Sequence, residues 1–142
     1  MRTIKFRGKT IAHHGLKETW VYGFYSNYKG VNGRTHYISD DIGHSYAVKF
    51  ETVSKFTGVI DPNGQEIYEN DIVGYTDSET KEVSVFGVVK YSSEGNFYIN
   101  THNCRNYEDD APSANVGYMM PQHKALSIIG NIFDNKELLK IE

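Results

Sequence analysis

Four carboxylates within residues 57–73, TGVIDPNGQEIYENDIV, form the densest group of candidate chemistry in the chain. They are Asp61, Glu66, Glu69 and Asp71. Because hard divalent cations take oxygen ligands from several carboxylates, a metal site or an acidic active site is one interpretation. However, their spacing matches no loop in which alternate residues surround one ion and a distal glutamate closes the site. We therefore favour a structural turn over a metal site.

The segment DPNG at 61–64 has the residue order of a tight turn between the strand-like runs TGVI and QEIY. The aspartate can accept backbone hydrogen bonds within the turn, and the proline presets its own backbone angle. Asparagine and glycine tolerate the positive φ values that follow, so a β-hairpin is predicted. Asn70 is predicted to be left-handed, ending one element before a strand that begins at Asp71.

Two further groups contain residues that bind metals or act as nucleophiles. His13 and His14 are adjacent, so on a strand they would point to opposite faces and would not ligate one metal together. His102 and Cys104 would share a strand face, but a structural zinc site needs four ligands and a cysteine nucleophile needs a base. We favour surface histidines and an inert loop cysteine, and we predict no metal and no cofactor.

Alternating basic residues near the N-terminus predict a strand with one basic face, while Ile4 and Phe6 are expected to pack inward. Aromatic residues follow closely, and such a surface could bind single-stranded nucleic acid, because bases stack on rings and phosphates pair with cations. The candidate contacts for nucleic acid or another partner are Lys5, Arg7, Lys9, Trp20, Tyr22, Tyr25 and Arg34. The favoured alternative is a solvated strand face with core aromatics.

Length and composition are those of an ordinary soluble globular protein of one domain or two small subdomains. The chain has 142 residues, of which 39% are hydrophobic and 23% are charged. Its net charge of -3 supplies no global field that would attract nucleic acid. A single cysteine fits a reducing compartment, and the longest apolar stretch, around 126–133, is too short to span a bilayer. We expect a soluble, intracellular protein.

Aromatic and β-branched residues in short alternating runs predict a mainly β chain, a β-rich α+β fold. Two polar stretches, 26–46 and 101–118, show no periodicity and are expected to be loops. The spacing of Asp134 and Glu137 is that of a helix cap, which predicts a short C-terminal helix. A second, weaker helix candidate is Met119 to Leu126.

We predict one domain over 1–142 that contains two small intertwined β subdomains. The first is an N-terminal sheet over 1–62. The second, over 63–142, is a barrel-like meander followed by the C-terminal helix, because its strand lengths and turns suit a small barrel.

Several stretches resemble the YopX family, small proteins encoded by phages and prophages. The resemblance rests on IKFRG at 4–8, Trp20 with Gly23, ETVSKFTGVIDPNGQEIYENDIV at 51–73, GVVKYSSEGNFYI at 87–99 and IIGNIFDNKELL at 128–139. These stretches follow the family's order along the whole chain. Asn70 stands where the family commonly has glycine, and asparagine tolerates the same backbone region.

The resemblance implies a mostly β fold, a location in the cytoplasm of the bacterial host, and no established enzymatic activity or catalytic residues. The sequence also has no phosphate-binding glycine loop, no nucleophile elbow and no metalloprotease motif. The leading hypothesis is a non-enzymatic phage accessory protein that binds a phage or host protein, or itself as a homo-oligomer, without a membrane. The alternative is a nucleic-acid-binding module in phage replication or regulation, and a hydrolase or nuclease is least favoured.

Overall fold

The computed structural model describes residues 4–12, 17–93, 95–100, 114–115 and 126–139. For residues 114 and 115, only the backbone is described. The chain forms two compact units, Met1–Phe56 and Thr57–Glu142. The described residues form mainly strands, which confirms the predicted β class.

The strands follow one another with short connections. They are β1 (Phe6–Lys9), β2 (Trp20–Gly30), β3 (Gly33–Ser39), β4 (Ser45–Val48), β5 (Ser54–Ile60), β6 (Glu66–Tyr68), β7 (Asp71–Thr76), β8 (Val83–Tyr91), β9 (Phe97–Asn100), β10 (Ala114–Asn115) and β11 (Ser127–Asn131). Two single 3-10 turns, Phe50–Thr52 and Lys136–Leu138, complete the regular structure of the described residues. β5 begins in the first unit and ends in the second.

In the first unit, antiparallel neighbours follow the order β4-β3-β2-β1-β5. β2 and β3 form a long hairpin whose register runs from Phe24 opposite Ser39 to Gly30 opposite Gly33. Val31 and Asn32 form the turn between these two strands. The sheet is therefore built around one hairpin, and every other strand of this unit is added to one side or the other of it.

The expectation of a loop over residues 26–46 is wrong, because this range contains the outer half of the β2–β3 hairpin and the start of β4. From Ser26 to Gly30, every residue of β2 is exposed. A strand that is solvated on both faces needs no apolar residue at every second position. It therefore leaves no periodicity in the sequence.

The expected faces of β1 are wrong for Ile4 and Arg7, although Phe6 is half-buried and lies 5.8 Å from Tyr25 between ring centres. Ile4 is 61% exposed, whereas the side chain of Arg7 is buried with only 6% of the residue exposed. The aliphatic stem of an arginine can pack like an apolar side chain, and the ring of Trp20 lies over its guanidinium group. On the other face of β1, Gly8 leaves room for Val48, whose side-chain atoms would lie 3.1 Å from an added Cβ.

The outer edge of β4 is paired with the end of β1. The amide of Lys49 donates to the carbonyl of Lys9 at 2.9 Å, and that of Ile11 donates to the carbonyl of Ala47 at 3.1 Å. A single β-bridge joins Thr10 to β4 between these two bonds. The carbonyl of Ala47 and the amide of Lys49 on this edge of the sheet are thus hydrogen-bonded within the chain.

In the second unit, the end of β5 pairs with β6, and a five-stranded antiparallel sheet has the order β10-β9-β8-β7-β11. Both faces of this sheet are packed. The cluster on one face includes Val73 and Val89, and the cluster that contains Ile72 and Val88 covers the other. The predicted barrel is wrong, since the described strands form an open sheet with a core on each side.

The predicted C-terminal helix is wrong in extent and type, because Lys136–Leu138 is a single 3-10 turn. The side chain of Asn131 accepts the amides of Phe133 and Asp134 and so caps the preceding turn. Leu139 is already extended, with φ -84° and ψ 153°. Leu138 and Leu139 pack against the core cluster that contains Ile72 and Val88, so the chain joins the core through this turn and the extended residue after it.

The acidic segment 57–73 has the scaffold role predicted from its sequence. One carboxylate oxygen of Asp61 accepts the amides of Asn63 and Gln65, both at 2.9 Å. The other oxygen accepts the amide of Ile128 at 3.2 Å, which anchors β11 to the β5–β6 turn. Asp61 is buried, so these three donors replace the hydration of its carboxylate.

The corner before β7 also matches its prediction. Asn70 has φ 74°, the left-handed region expected for it. Its amide donates to the carbonyl of Val89 at 2.8 Å, and its carbonyl accepts the amide of Ile132 at 3.0 Å. The next residue, Asp71, is buried and accepts the amide of Tyr68 at 2.8 Å. Backbone hydrogen bonds at Asn70 thus join this corner to β8 and to the residue that follows β11.

Several sequence predictions lie outside the described residues. They concern His13 and His14, His102 and Cys104, and residues 119–125 of the second helix candidate. Of the polar stretch 101–118, the structure describes only the backbone of β10. In the described parts of the chain, we find no helix with the length and apolar character needed to cross a bilayer.

We predict that Asp61→Ala destabilises the protein by about 3 kcal/mol, because it leaves three backbone donors near a buried site without their acceptor. Asp61→Asn keeps one acceptor oxygen for the turn and loses the bond to Ile128, so about half that loss is expected. Urea denaturation measures both values, and amide exchange at Ile128 reports the local effect. A loss below about 1 kcal/mol for Asp61→Ala would contradict the anchoring role.

The loop between β7 and β8 holds a second aspartate turn. The amides of Thr80 and Glu79 donate to one oxygen of Asp77 at 2.9 and 2.8 Å. These bonds stabilise the ionised carboxylate, and they lower the pKa of Asp77 below its ordinary value of 3.8.

We predict that a carbon-13 NMR titration gives Asp77 a pKa below 3.8. Since the pKa is lower in the folded state, the stabilisation is present above the unfolded pKa and is lost as pH falls through the folded one. Asp77→Asn should therefore flatten the acid limb of the stability curve relative to the wild type. A measured pKa at or above the ordinary value would show that the two amides do not hold the carboxylate in solution.

Candidate binding surface

The β1–β2 pair distributes the predicted contact residues over two faces of the first sheet. Arg7 lies opposite Tyr22, and Lys9 lies opposite Trp20, so these four side chains share one face. Side chains alternate along a strand, which places Tyr25 on the other face of β2.

Lys5 precedes β1 and alternates with Phe6, which puts it on the side of Arg7. Arg34 belongs to β3 and bonds to Asn27, on the Tyr25 side. The seven residues proposed from the sequence therefore do not form one surface.

A buried cation–π contact dominates the Arg7 face. The guanidinium carbon of Arg7 lies 4.6 Å from the centre of the Trp20 ring, and the Lys9 ammonium lies 5.9 Å from it. A cation over an aromatic face is stabilised by about 0.5–2 kcal/mol, more when it is shielded from water. Arg7 therefore packs within the fold, and its guanidinium group is not presented to solvent.

The neighbouring lysines share one carboxylate. Lys9 Nζ lies 3.9 Å from Oε2 of Glu18, and Lys49 Nζ contacts Oε1 of the same side chain. This arrangement offsets part of the positive charge on the face. Within the described residues, no three histidine, cysteine or acidic side chains are grouped so that they could hold a metal ion.

On the opposite face, a chain of polar contacts runs across the β2–β3 hairpin. Arg34 Nη1 donates to Oδ1 of Asn27 at 2.7 Å, and the Asn27 amide donates to the Tyr25 hydroxyl at 3.4 Å. The Tyr25 hydroxyl lies 2.6 Å from Nδ1 of His36, and Phe50 stacks on that imidazole at 4.3 Å between ring centres. Because Asn27 donates to the hydroxyl, Tyr25 can donate its own proton to Nδ1. This network fixes the hairpin's side chains.

Sequence reasoning missed Asn27, His36 and Phe50. The signal that could have found His36 is the Asn32-Gly33 dipeptide, which is typical of a hairpin turn and so sets the register that places His36 opposite Asn27. Phe50 belongs to a 3-10 turn that lies outside the hairpin in sequence. No local sequence pattern predicts that its ring stacks on His36.

A cleft of about 260 Å³ lies beside the Arg7 face. Its lining residues come from the segment before β1, the first half of β2 and the turn after β3. They are Ile4, Lys5, Tyr22, Gly23, Phe24, Asp40 and Asp41. Tyr22 is 44% exposed and Phe24 is 64% exposed. Two aromatic rings in a concave site with charged residues at its rim are typical of a recognition surface.

Gly23 makes the cleft possible. A Cβ atom at this position would overlap the carbonyl oxygen of Ser39, and φ at Gly23 is 153°. Only glycine allows β2 to approach the end of β3 this closely. This approach places the Asp40 turn beside Tyr22 and Phe24.

A sequence profile described as YopX protein matches residues 5–140. The chain belongs to the YopX family. The resemblance inferred from the sequence motifs is thus confirmed over nearly the whole chain. No curated protein matched the sequence.

In this YopX-family chain, Gly23 is one of the two residues of the second resembling stretch, with Trp20. Trp20 covers Arg7, and Gly23 permits the close approach of β2 to Ser39. Both residues thus act on the same face of the first sheet. Phe24, Asp40 and Asp41 were missed from the sequence because the cleft arises from a contact between segments about 16 residues apart.

We predict that Gly23→Ala destabilises this YopX-family protein by about 3 kcal/mol, because the new Cβ overlaps backbone that cannot yield locally. Gly30→Ala in the same strand is the matched control, since its Cβ would meet only the Gly33 carbonyl oxygen at 3.6 Å. That control should change stability by no more than about 1 kcal/mol. Thermal denaturation followed by circular dichroism compares the two variants, and equal melting temperatures would refute the close approach.

Proposed function

We propose that this YopX-family protein is a phage accessory protein that has no enzymatic activity and acts by binding a protein partner. The observation that carries the proposal is the exposure of Tyr22 and Phe24 in one cleft of the first unit. Tyrosine and other aromatic side chains are enriched at the centres of protein interfaces, where a few residues supply most of the binding free energy.

The distribution of exposed apolar side chains supports the same proposal. Among the described residues, large apolar side chains are exposed mostly in the first unit: Ile4, Ile11, Tyr22, Phe24, Tyr28, Val31, Ile42, Tyr46 and Phe50. Scattered single exposures are ordinary on soluble proteins. The cleft differs because three of these residues, Ile4, Tyr22 and Phe24, line one concavity. We therefore place the partner's contact there.

Nucleic-acid binding is the weaker candidate for this surface. Its proposed contacts require exposed cations on one face, whereas Arg7 is buried against Trp20. Lys9 and Lys49 share the carboxylate of Glu18, and Arg34 bonds to Asn27 on the other face. These placements reduce the positive charge available to phosphates, on which affinity for nucleic acid depends.

We predict that an affinity-tagged chain recovers a protein partner from phage-infected host lysate, with or without nuclease treatment, and that Phe24→Ser reduces the recovery about tenfold or more. Loss of a central aromatic contact costs about 2 kcal/mol in typical interfaces. Tyr28→Ser is the matched control, because Tyr28 is also exposed on β2 but does not line the cleft. Quantitative mass spectrometry measures the recovered protein.

Equal recovery by Phe24→Ser and wild type would contradict binding through the cleft. Recovery that disappears after nuclease treatment would support nucleic-acid binding instead. Light scattering at high protein concentration identifies the case in which the partner is a second copy of the chain, because the molar mass then doubles or rises further.

A further inference from the structure

The aromatic wall of the cleft is suited to a positive charge. Tyr22 and Phe24 are alternate residues of β2, so both rings project from the same face of the strand. The face of an aromatic ring attracts ammonium and guanidinium groups through its quadrupole. The same sheet already contains one such contact, in which the Arg7 guanidinium lies 4.6 Å from the Trp20 ring centre.

The rim of the cleft supplies negative charge. Asp40 is used within its own turn, where one oxygen accepts the amides of Ile42 and His44 at 3.1 and 2.8 Å. Its other oxygen lies 3.6 Å from the His44 imidazole. Asp41 is exposed, and no hydrogen bond or ion pair to it is found in the described part of the chain. Its carboxylate therefore remains hydrated and able to accept a cation.

The position of Lys5 limits what the cleft can accept. Lys5 lines the same concavity as Asp41 and is half-buried. A ligand with several adjacent cations would place one of them near Lys5, which costs free energy through like-charge repulsion. A ligand with a single cationic residue avoids this repulsion. If apolar residues flank that residue in the ligand, they can contact Ile4 and Phe24.

We propose that the cleft receives one arginine or lysine side chain of the partner protein, flanked by apolar residues. The cation lies against Tyr22 and Phe24 and pairs with Asp41. This inference rests on the proposed function, and it specifies the chemistry of the partner's contact. The ring contacts and the ion pair act on the same charged group, so removal of that charge removes both.

The test uses three capped pentapeptides with a central residue flanked by leucines, in which the central residue is arginine, lysine or citrulline. Citrulline has nearly the shape of arginine without its charge. NMR titration of the full-length chain should show shifts at Tyr22, Phe24 and Asp41 with the arginine peptide, the lysine peptide or both. Binding of the citrulline peptide should be weaker by about tenfold or more, since the lost contacts are worth more than about 1.4 kcal/mol.

Asp41→Asn should weaken the cationic peptide's binding to the level of the citrulline peptide. Glu79→Gln, which removes an exposed carboxylate from the second unit, should leave it unchanged. The inference is overturned if the citrulline peptide binds as tightly as the better of the two cationic peptides, if Asp41→Asn has no effect, or if no peptide shifts the cleft resonances. In those cases a partner whose recovery still depends on Phe24 would leave the proposed function intact. A partner insensitive to Phe24→Ser would reject the proposed function itself.

Discussion

The carboxylate of Asp61 is the constraint on which the second unit depends. A charged group buried in a protein is tolerated only when donors replace its hydration, and here three backbone amides do so. Two of them close the turn between β5 and β6, and the third belongs to Ile128, 67 residues further along the chain. One side chain therefore sets both a local turn and the position of β11, which pairs with β7. The two core clusters then cover both faces of the sheet that contains these strands.

Turn chemistry could be predicted from the sequence because its causes are local. Asp61 and Asn70 have the contacts and backbone angles expected of their residue types and neighbours. The inward face of β1 could not be predicted in the same way. Alternation shows that Ile4 and Arg7 lie on different sides, but not which of them is covered, and the burial of Arg7 depends on where Trp20 packs. The exposed half of β2 carried no alternation because neither of its faces needs apolar residues.

The candidate surface was predictable only in part, for a related reason. Trp20 and Tyr22 were found by residue type, and the structure does place them beside Lys9 and Arg7. The cleft itself depends on Gly23, which brings β2 against the end of β3 and so sets Asp40 and Asp41 next to the aromatic rings. A glycine's sequence context does not identify the backbone it will approach. Reasoning from local sequence therefore identified Tyr22 of the aromatic wall, but it did not identify Asp40 and Asp41 at the rim of the cleft.

The paired outer edge of β4 has a consequence for how copies of this chain can associate. An unpaired strand edge is a template on which another chain can add a strand, and growth by this route leads to domain swapping or fibrils. At β4, the carbonyl of Ala47 and the amide of Lys49 are already bonded to Ile11 and Lys9. At these positions the edge therefore offers no free backbone groups to which another chain could add a strand. Contacts made at these positions by another molecule must use side chains, and such contacts can dissociate without unfolding the sheet.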